Sequence, residues 1–67
     1  KPKETKRFQE ELVAALPGIS SVLSKRLLKH FGSIEKIFSA TERELSQVNG
    51  INSKVAKRIK ELISKKY

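Results

Sequence analysis

Two short stretches hold the residues best placed to bind something, Leu16-Pro17-Gly18-Ile19-Ser20 and Val48-Asn49-Gly50-Ile51-Asn52. In each, an apolar residue leads into a glycine, a second apolar residue follows, and a polar residue opens a basic amphipathic stretch. Glycine admits φ > 0 and leaves no Cβ between backbone and ligand. N–H groups at a helix start have no acceptor within the helix. Together these suit an anion, a phosphate above all. The candidate contacts are Gly18, Ser20, Ser21 and Lys25 in the first stretch, and Gly50, Asn52, Ser53, Lys54 and Lys57 in the second. Ile19 and Ile51 are expected to anchor the turns in the core.

Charge points the same way. Fifteen Lys and Arg stand against seven acids in 67 residues, a net charge of +8, and every acid is Glu. Such a balance suits a polyanion, most simply nucleic acid, although charge alone does not separate DNA, RNA and anionic lipid. No apolar run approaches a membrane span or a signal-peptide core, so no membrane partner and an intracellular location are expected. There is no Cys, hence no disulfide and no thiolate ligand. His30 has no metal-ligating companions and is expected near a helix C-terminus. One His and no Cys suggest no Ser-His-carboxylate or Cys-His arrangement. No catalytic residue, metal or cofactor is expected. The chain starts at Lys1 and has no Met, as an excised piece of a longer protein would.

The elements that must carry these stretches are helical throughout. Residues 1–4, basic and containing Pro2, are expected to form a linker, and residues 5–67 an all-α domain of five short helices. The first helix runs from about Thr5, with Phe8, Leu12 and Ala15 or Leu16 on one face, and stops at Pro17-Gly18. Ser20 or Ser21 caps the second, whose stripe is Leu23, Leu27, Leu28 and Phe31, with Gly32 as terminator. Ser33 to Ser39 offers Ile34, Ile37 and Phe38 to the core. Thr41 and Glu44 form a capping box ahead of Leu45 and Val48. The last helix, about Ser53 to Lys65, shows Val55, Ile59, Leu62 and Ile63 on one side and Lys54, Lys57, Arg58, Lys60 and Lys65 on the other. Phe8, Phe31 and Phe38 fit core spacing.

The chain also repeats itself. A shift of 32 positions, taking Gly18 onto Gly50, aligns Ile19 with Ile51, Ser21 with Ser53, Lys25 with Lys57 and Arg26 with Arg58. Apolar positions match apolar ones: Val13 with Leu45, Leu16 with Val48, Leu23 with Val55, Leu27 with Ile59. This is the signature of a duplicated unit. Motif one spans about 6–31, a connector 33–39, and motif two 41–65.

The two turns resemble the hairpins of the helix-hairpin-helix motif, whose pattern is apolar-x-Gly-apolar-Gly before a helix. Two such motifs joined by a short helix resemble the tandem domain of DNA repair nucleases. Lys29-His30-Phe31-Gly32-Ser33-Ile34, followed by Ala40-Thr41-x-x-Glu44-Leu45, resembles the C-terminal domain of the XPF and archaeal Hef endonucleases. The bacterial UvrC nuclease subunit carries a similar domain. Phe8-Gln9-Glu10-Glu11-Leu12 and Tyr67 favour XPF/Hef. The likeness spans about Lys6 to Tyr67.

The resemblance implies sequence-independent binding to duplex, fork or junction DNA. It also implies pairing with a second copy or a related paralogue through faces away from the hairpins, for which Phe8, Leu12, Ile63 and Tyr67 are the candidates. The location it implies is chromosomal, in an archaeal cytoplasm or a eukaryotic nucleus. The XPF-type nuclease centre needs Asp and Glu carboxylates, and a helix-hairpin-helix glycosylase needs an Asp. This chain has none, and Glu42-Arg43-Glu44 lacks the rest of the nuclease motif. Cutting is therefore expected elsewhere in a parent endonuclease, with or without a helicase part. The alternatives are a UvrC-type parent and a purely protein-interacting module.

This chain departs from the pattern at its second glycine, which is Ser20 in one hairpin and Asn52 in the other. Both are good helix caps, Asn tolerates a left-handed backbone better, and a cap oxygen occupies an N–H. Val22 stands where the second motif has Lys54. The second hairpin is therefore expected to bind more strongly than the first.

Overall fold

The computed structural model describes residues 2–67. They form α1 (Pro2–Ala14), α2 (Ser21–Phe31), α3 (Ile34–Ser39), α4 (Glu42–Ser46) and α5 (Ser53–Ser64), with no strand among the described residues. α1 packs on α2, α4 packs on α5, and α3 bridges them from its contact with α2.

Most boundaries have a side-chain cause. Ser20 Oγ accepts from the Leu23 N–H at 3.2 Å, and Asn52 Oδ1 accepts from the Val55 N–H at 2.9 Å. Ser33 Oγ takes the Lys36 N–H at 3.1 Å. Thr41 and Glu44 form the reciprocal capping box, at 3.1 Å and 2.9 Å. Each cap of this kind contributes about 1 kcal/mol. Gly32, at φ 90°, closes α2 by donating its N–H to the Leu28 carbonyl.

Helix α1 starts earlier than its polar pattern suggests. Residues 2–4, expected in a linker, are helical, while Lys1 lies outside the described residues. Proline is favoured at the first helical position, where its missing N–H would have no partner anyway. Glu4 complements the dipole in the first turn.

The core is nearly two-fold in its residues. Val13 and Leu45, Leu16 and Val48, Ile19 and Ile51, Ser24 and Ala56, Leu27 and Ile59 are buried as pairs one repeat apart. The other buried residues are Ile37 and Ala40, in and just after the bridging helix. The repeat is thus the plan of the core: each motif contributes one helix-turn-helix of apolar side chains, and α3 fills the gap between them. Ser24 is the polar member. Its hydroxyl donates to the Glu10 carbonyl at 2.7 Å, which draws α2 close to α1 and satisfies the buried oxygen.

Three expectations change here. The buried line of α1 runs through Val13 toward Leu16, so Phe8 and Leu12 are exposed, at 57% and 54%. α1 carries two apolar stripes, and docking of α2 through Ser24 selects the one continuous with the turn. On α5 the buried line is Ala56 and Ile59, with Ile63 half-buried, which turns Leu62 outward at 55% exposure. Lys60 is no solvated charge: it is half-buried and its Nζ donates to the Phe38 carbonyl at 3.0 Å. Its aliphatic stem covers the apolar surface on the way.

Leu27 is fully buried in the core. We expect Leu27→Ala to lower unfolding stability by about 3 kcal/mol. Leu62→Ala should stay within about 0.5 kcal/mol. Urea denaturation of the two variants against the parent chain measures both.

Candidate nucleic-acid interface

Each hairpin is a tight turn whose shape follows from its residues. The Ile19 N–H donates to the Leu16 carbonyl at 3.1 Å, and the Ile51 N–H to the Val48 carbonyl at 3.0 Å. Gly18 has φ 77° and Gly50 φ 98°, and no residue other than glycine has positive φ among those described. A closed four-residue turn with positive φ only at its third position is type II, and Pro17 suits the second position of such a turn. Leu16, Ile19, Val48 and Ile51 are buried and hold the turns down, as expected of the two isoleucines.

Beyond the turns, the accounting of backbone donors is the same in both motifs. The helical ladder begins with Ser24 to Ser20 at 2.9 Å and Ala56 to Asn52 at 3.0 Å. The caps take the amides of Leu23 and Val55. The N–H groups of Ser20, Ser21 and Val22, and of Asn52, Ser53 and Lys54, are left without an intrahelical acceptor. Here the expected difference between the caps disappears. Ser20 and Asn52 both have φ −86° with extended ψ, so the tolerance of Asn for a left-handed backbone is unused, and each cap occupies one equivalent amide. What separates the two hairpins is side-chain charge.

The hairpins meet because each turn lies on the other motif's helix. A Cβ at Gly18 would come within 3.3 Å of Val55 Cγ2, and one at Gly50 within 2.6 Å of Leu23 Cδ2. Leu23 and Val55 are repeat counterparts, so the contact is reciprocal. Glycine suits both positions for φ, and at Gly50 also for room. Sequence reasoning assigned both glycines to the approach of a phosphate, and missed the neighbouring motif beside them. The repeat aligned Leu23 with Val55 but carried no signal that each faces the opposite turn.

Ser20, Ser21, Asn52, Ser53, Lys54 and Lys57 are all exposed, and so is Lys25, which borders the groove between α1 and α2 beside Gln9, Glu10 and Lys29. The ion pair found among the described residues is on α1, Arg7 to Glu11 at 3.9 Å, so none of the hairpin lysines is in a close ion pair, while Lys25 shares its groove with Glu10. Arg26 reaches across the domain and its Nη1 donates to the Asn49 carbonyl at 3.0 Å. No sequence signal set it apart from its repeat mate Arg58. Away from the hairpins Phe8, Leu12 and Tyr67 are exposed, Leu62 joins them, and Ile63 is half-buried. His30 lies in the last turn of α2, edge-on to Phe31. Among the described residues no three His, Asp or Glu side chains gather to hold a metal ion. No helix there is long and apolar enough to cross a membrane.

Comparison with known proteins places this geometry. The model of the SAM-like helix-hairpin-helix tandem matches residues 10–65. A Methanocaldococcus jannaschii protein whose name describes a candidate ATP-dependent RNA helicase is 40% identical over 62 residues, which are 92% of this chain and 8% of that protein. UvrABC system protein C of Alkaliphilus oremlandii is 43% identical over 56 residues, 84% of this chain and 9% of that one. Among solved structures, XPF from Aeropyrum pernix superposes with a TM-score of 0.92 at 34% identity, over 96% of this chain and 33% of that one. The same protein in complex with DNA gives 0.86 at 33% identity, over 98% and 36%. The chain therefore spans less than a tenth of these sequence relatives and about a third of the solved chains.

The two glycines are not equally replaceable. Gly18→Ala meets a positive φ and a 3.3 Å neighbour, and we expect it to cost about 1 kcal/mol of stability. Gly50→Ala adds a 2.6 Å approach to Leu23, and should cost about 2 kcal/mol or more. Leu23→Ala in the Gly50→Ala background should recover part of that loss, a coupling that a double-mutant cycle of thermal unfolding reads directly.

Proposed function

The chain belongs to the SAM-like helix-hairpin-helix tandem family, and we propose that it is the DNA-docking domain of a repair endonuclease of XPF/Hef type. The observation that carries this reading is the paired hairpin surface. Two sets of amides without intrahelical acceptors are held together by reciprocal packing, with exposed lysines in the helices that follow them and no close ion pair to those lysines. The solved complex of the related XPF with DNA supports the same choice of polyanion.

Binding proceeds through the phosphates. The free N–H groups of Ser20, Ser21 and Val22 receive one phosphate, and those of Asn52, Ser53 and Lys54 another. Gly18 and Gly50 let the backbone approach, and helix dipoles add attraction. Lys25, Lys54 and Lys57 supply charge. None of these groups reads a base edge, so binding is independent of sequence on duplex, fork or junction DNA. The second prong is the stronger, because Lys54 stands where the first has Val22, 57% exposed.

The exposed Phe8, Leu12 and Tyr67, with Leu62 and the half-buried Ile63, form the pairing face, toward a second copy or a related paralogue. Sedimentation should show dimers that Leu12→Glu splits. Monomers at all concentrations would remove this part. The intracellular, chromosome-associated location and the endonuclease parent belong to the same reading. A UvrC-type parent is the second reading, favoured by the 43% identity to the Alkaliphilus oremlandii protein. The sequence adjoining this stretch in the parent decides between them.

Duplex titration across a salt series tests the function. The logarithm of the binding constant should fall linearly with that of salt, by about 0.9 per phosphate engaged. Lys54→Gln should weaken binding and flatten the slope by about 0.9, and Val22→Lys should strengthen binding and steepen it by a similar amount. A folded chain with no salt-sensitive binding to duplex or fork would leave a protein-interaction module in its place.

A further inference from the structure

The 32-residue repeat makes Arg26 and Arg58 counterparts, yet the structure uses them differently. Arg26 belongs to α2, in the first motif, but its Nη1 donates to the carbonyl of Asn49 in the second hairpin at 3.0 Å. The same atom lies 3.1 Å from the point where a Gly50 Cβ would stand. Among the described residues Arg58 makes no mirrored bond to Pro17. A guanidinium carries five N–H donors, and one is spent on Asn49. Arg26 is exposed, and its other donors have no protein partner among the described residues.

From this we infer that Arg26 of the first motif completes the phosphate site of the second hairpin. It fixes the Asn49-Gly50 turn across the domain and holds a charged fork beside it for an anionic oxygen. The inference rests on the DNA-docking reading and deepens it: the two prongs share a residue and are unequal for that reason, as well as for Lys54. Arginine suits the task where lysine would not. Its planar fork can bond a carbonyl with one arm and meet a phosphate with another, whereas an ammonium is a single point charge. No carboxylate competes for it, because the ion pair found among the described residues lies on α1. The first hairpin has no equivalent arginine bond: its turn is positioned by buried Leu16 and Ile19, the Ile19-to-Leu16 hydrogen bond and the Val55 contact.

Arg26→Gln, Arg26→Lys and Arg58→Gln test this in the 67-residue chain. Each is titrated with a plain duplex over a salt series, and the amide shifts of Gly18 and Gly50 are followed by NMR. Arg26→Gln should weaken binding roughly tenfold and flatten the salt slope by about 0.9. The Gly50 amide should lose its response while Gly18 keeps its own. Arg26→Lys should retain the slope, because charge is kept, and recover only part of the affinity and of the Gly50 response. Arg58→Gln should leave both glycines responsive. An unchanged slope and an unchanged Gly50 response in Arg26→Gln overturn the inference while the docking reading stands. Should Arg26→Gln not fold, Arg26→Lys with wild-type affinity and a wild-type Gly50 response overturns it equally. A wild-type chain silent at both glycines would overturn the docking reading, and this inference with it.

Discussion

The interaction on which the rest depends is the reciprocal seating of each hairpin on the other motif, Gly18 against Val55 and Gly50 against Leu23. A hairpin between two helices presents free amides wherever it occurs. Two of them become one surface only when their turns are held at a fixed spacing, and short exposed turns do not hold themselves. Here the spacing is set by side chains at the start of the opposite helix. Positive φ favours glycine at both turns, and a Cβ at Gly50 would also have to push the end of the Leu23 side chain aside. Substitution at these glycines therefore perturbs the fold and the site together. Charge changes at the exposed Val22 or Lys54 are the cleaner probes of binding.

Much of this was legible in the sequence because the duplication exposes it. Capping residues, the two glycine turns and the matched apolar positions Val13 with Leu45 and Leu27 with Ile59 are local or one repeat apart. Local chemistry and periodicity are what a single sequence carries. The choice between the two stripes of α1 was not legible, because Phe8-Leu12 and Val13-Leu16 have equally good helical spacing. Only the docking of α2 through Ser24 decides it. The burial of Val13 was nevertheless encoded in its alignment with Leu45. Lys60 read as a solvent charge because nothing local reveals the Phe38 carbonyl 22 residues away. The reach of Arg26 to Asn49, 23 residues on, was hidden for the same reason.

The two prongs are alike in backbone and different in side chains. The caps, the turn hydrogen bonds and the sets of free amides match, whereas Lys54 against Val22 and the one-way bond from Arg26 distinguish the second prong. A small domain with a limited core also leaves apolar side chains outside, as Phe8, Leu12 and Leu62 show. These lie on helix faces other than the buried ones, so a partner seated on them need not compete with a phosphate at the turns.

The most direct test of the paired surface is a titration of the isotopically labelled chain with a short blunt duplex at fixed low salt, followed amide by amide. The account predicts that residues 18–22 and 50–54 shift together along one binding curve, while Phe8 and Tyr67 do not follow it. Shifts confined to Phe8, Leu12 and Tyr67, or two hairpins titrating with unrelated affinities, would contradict it.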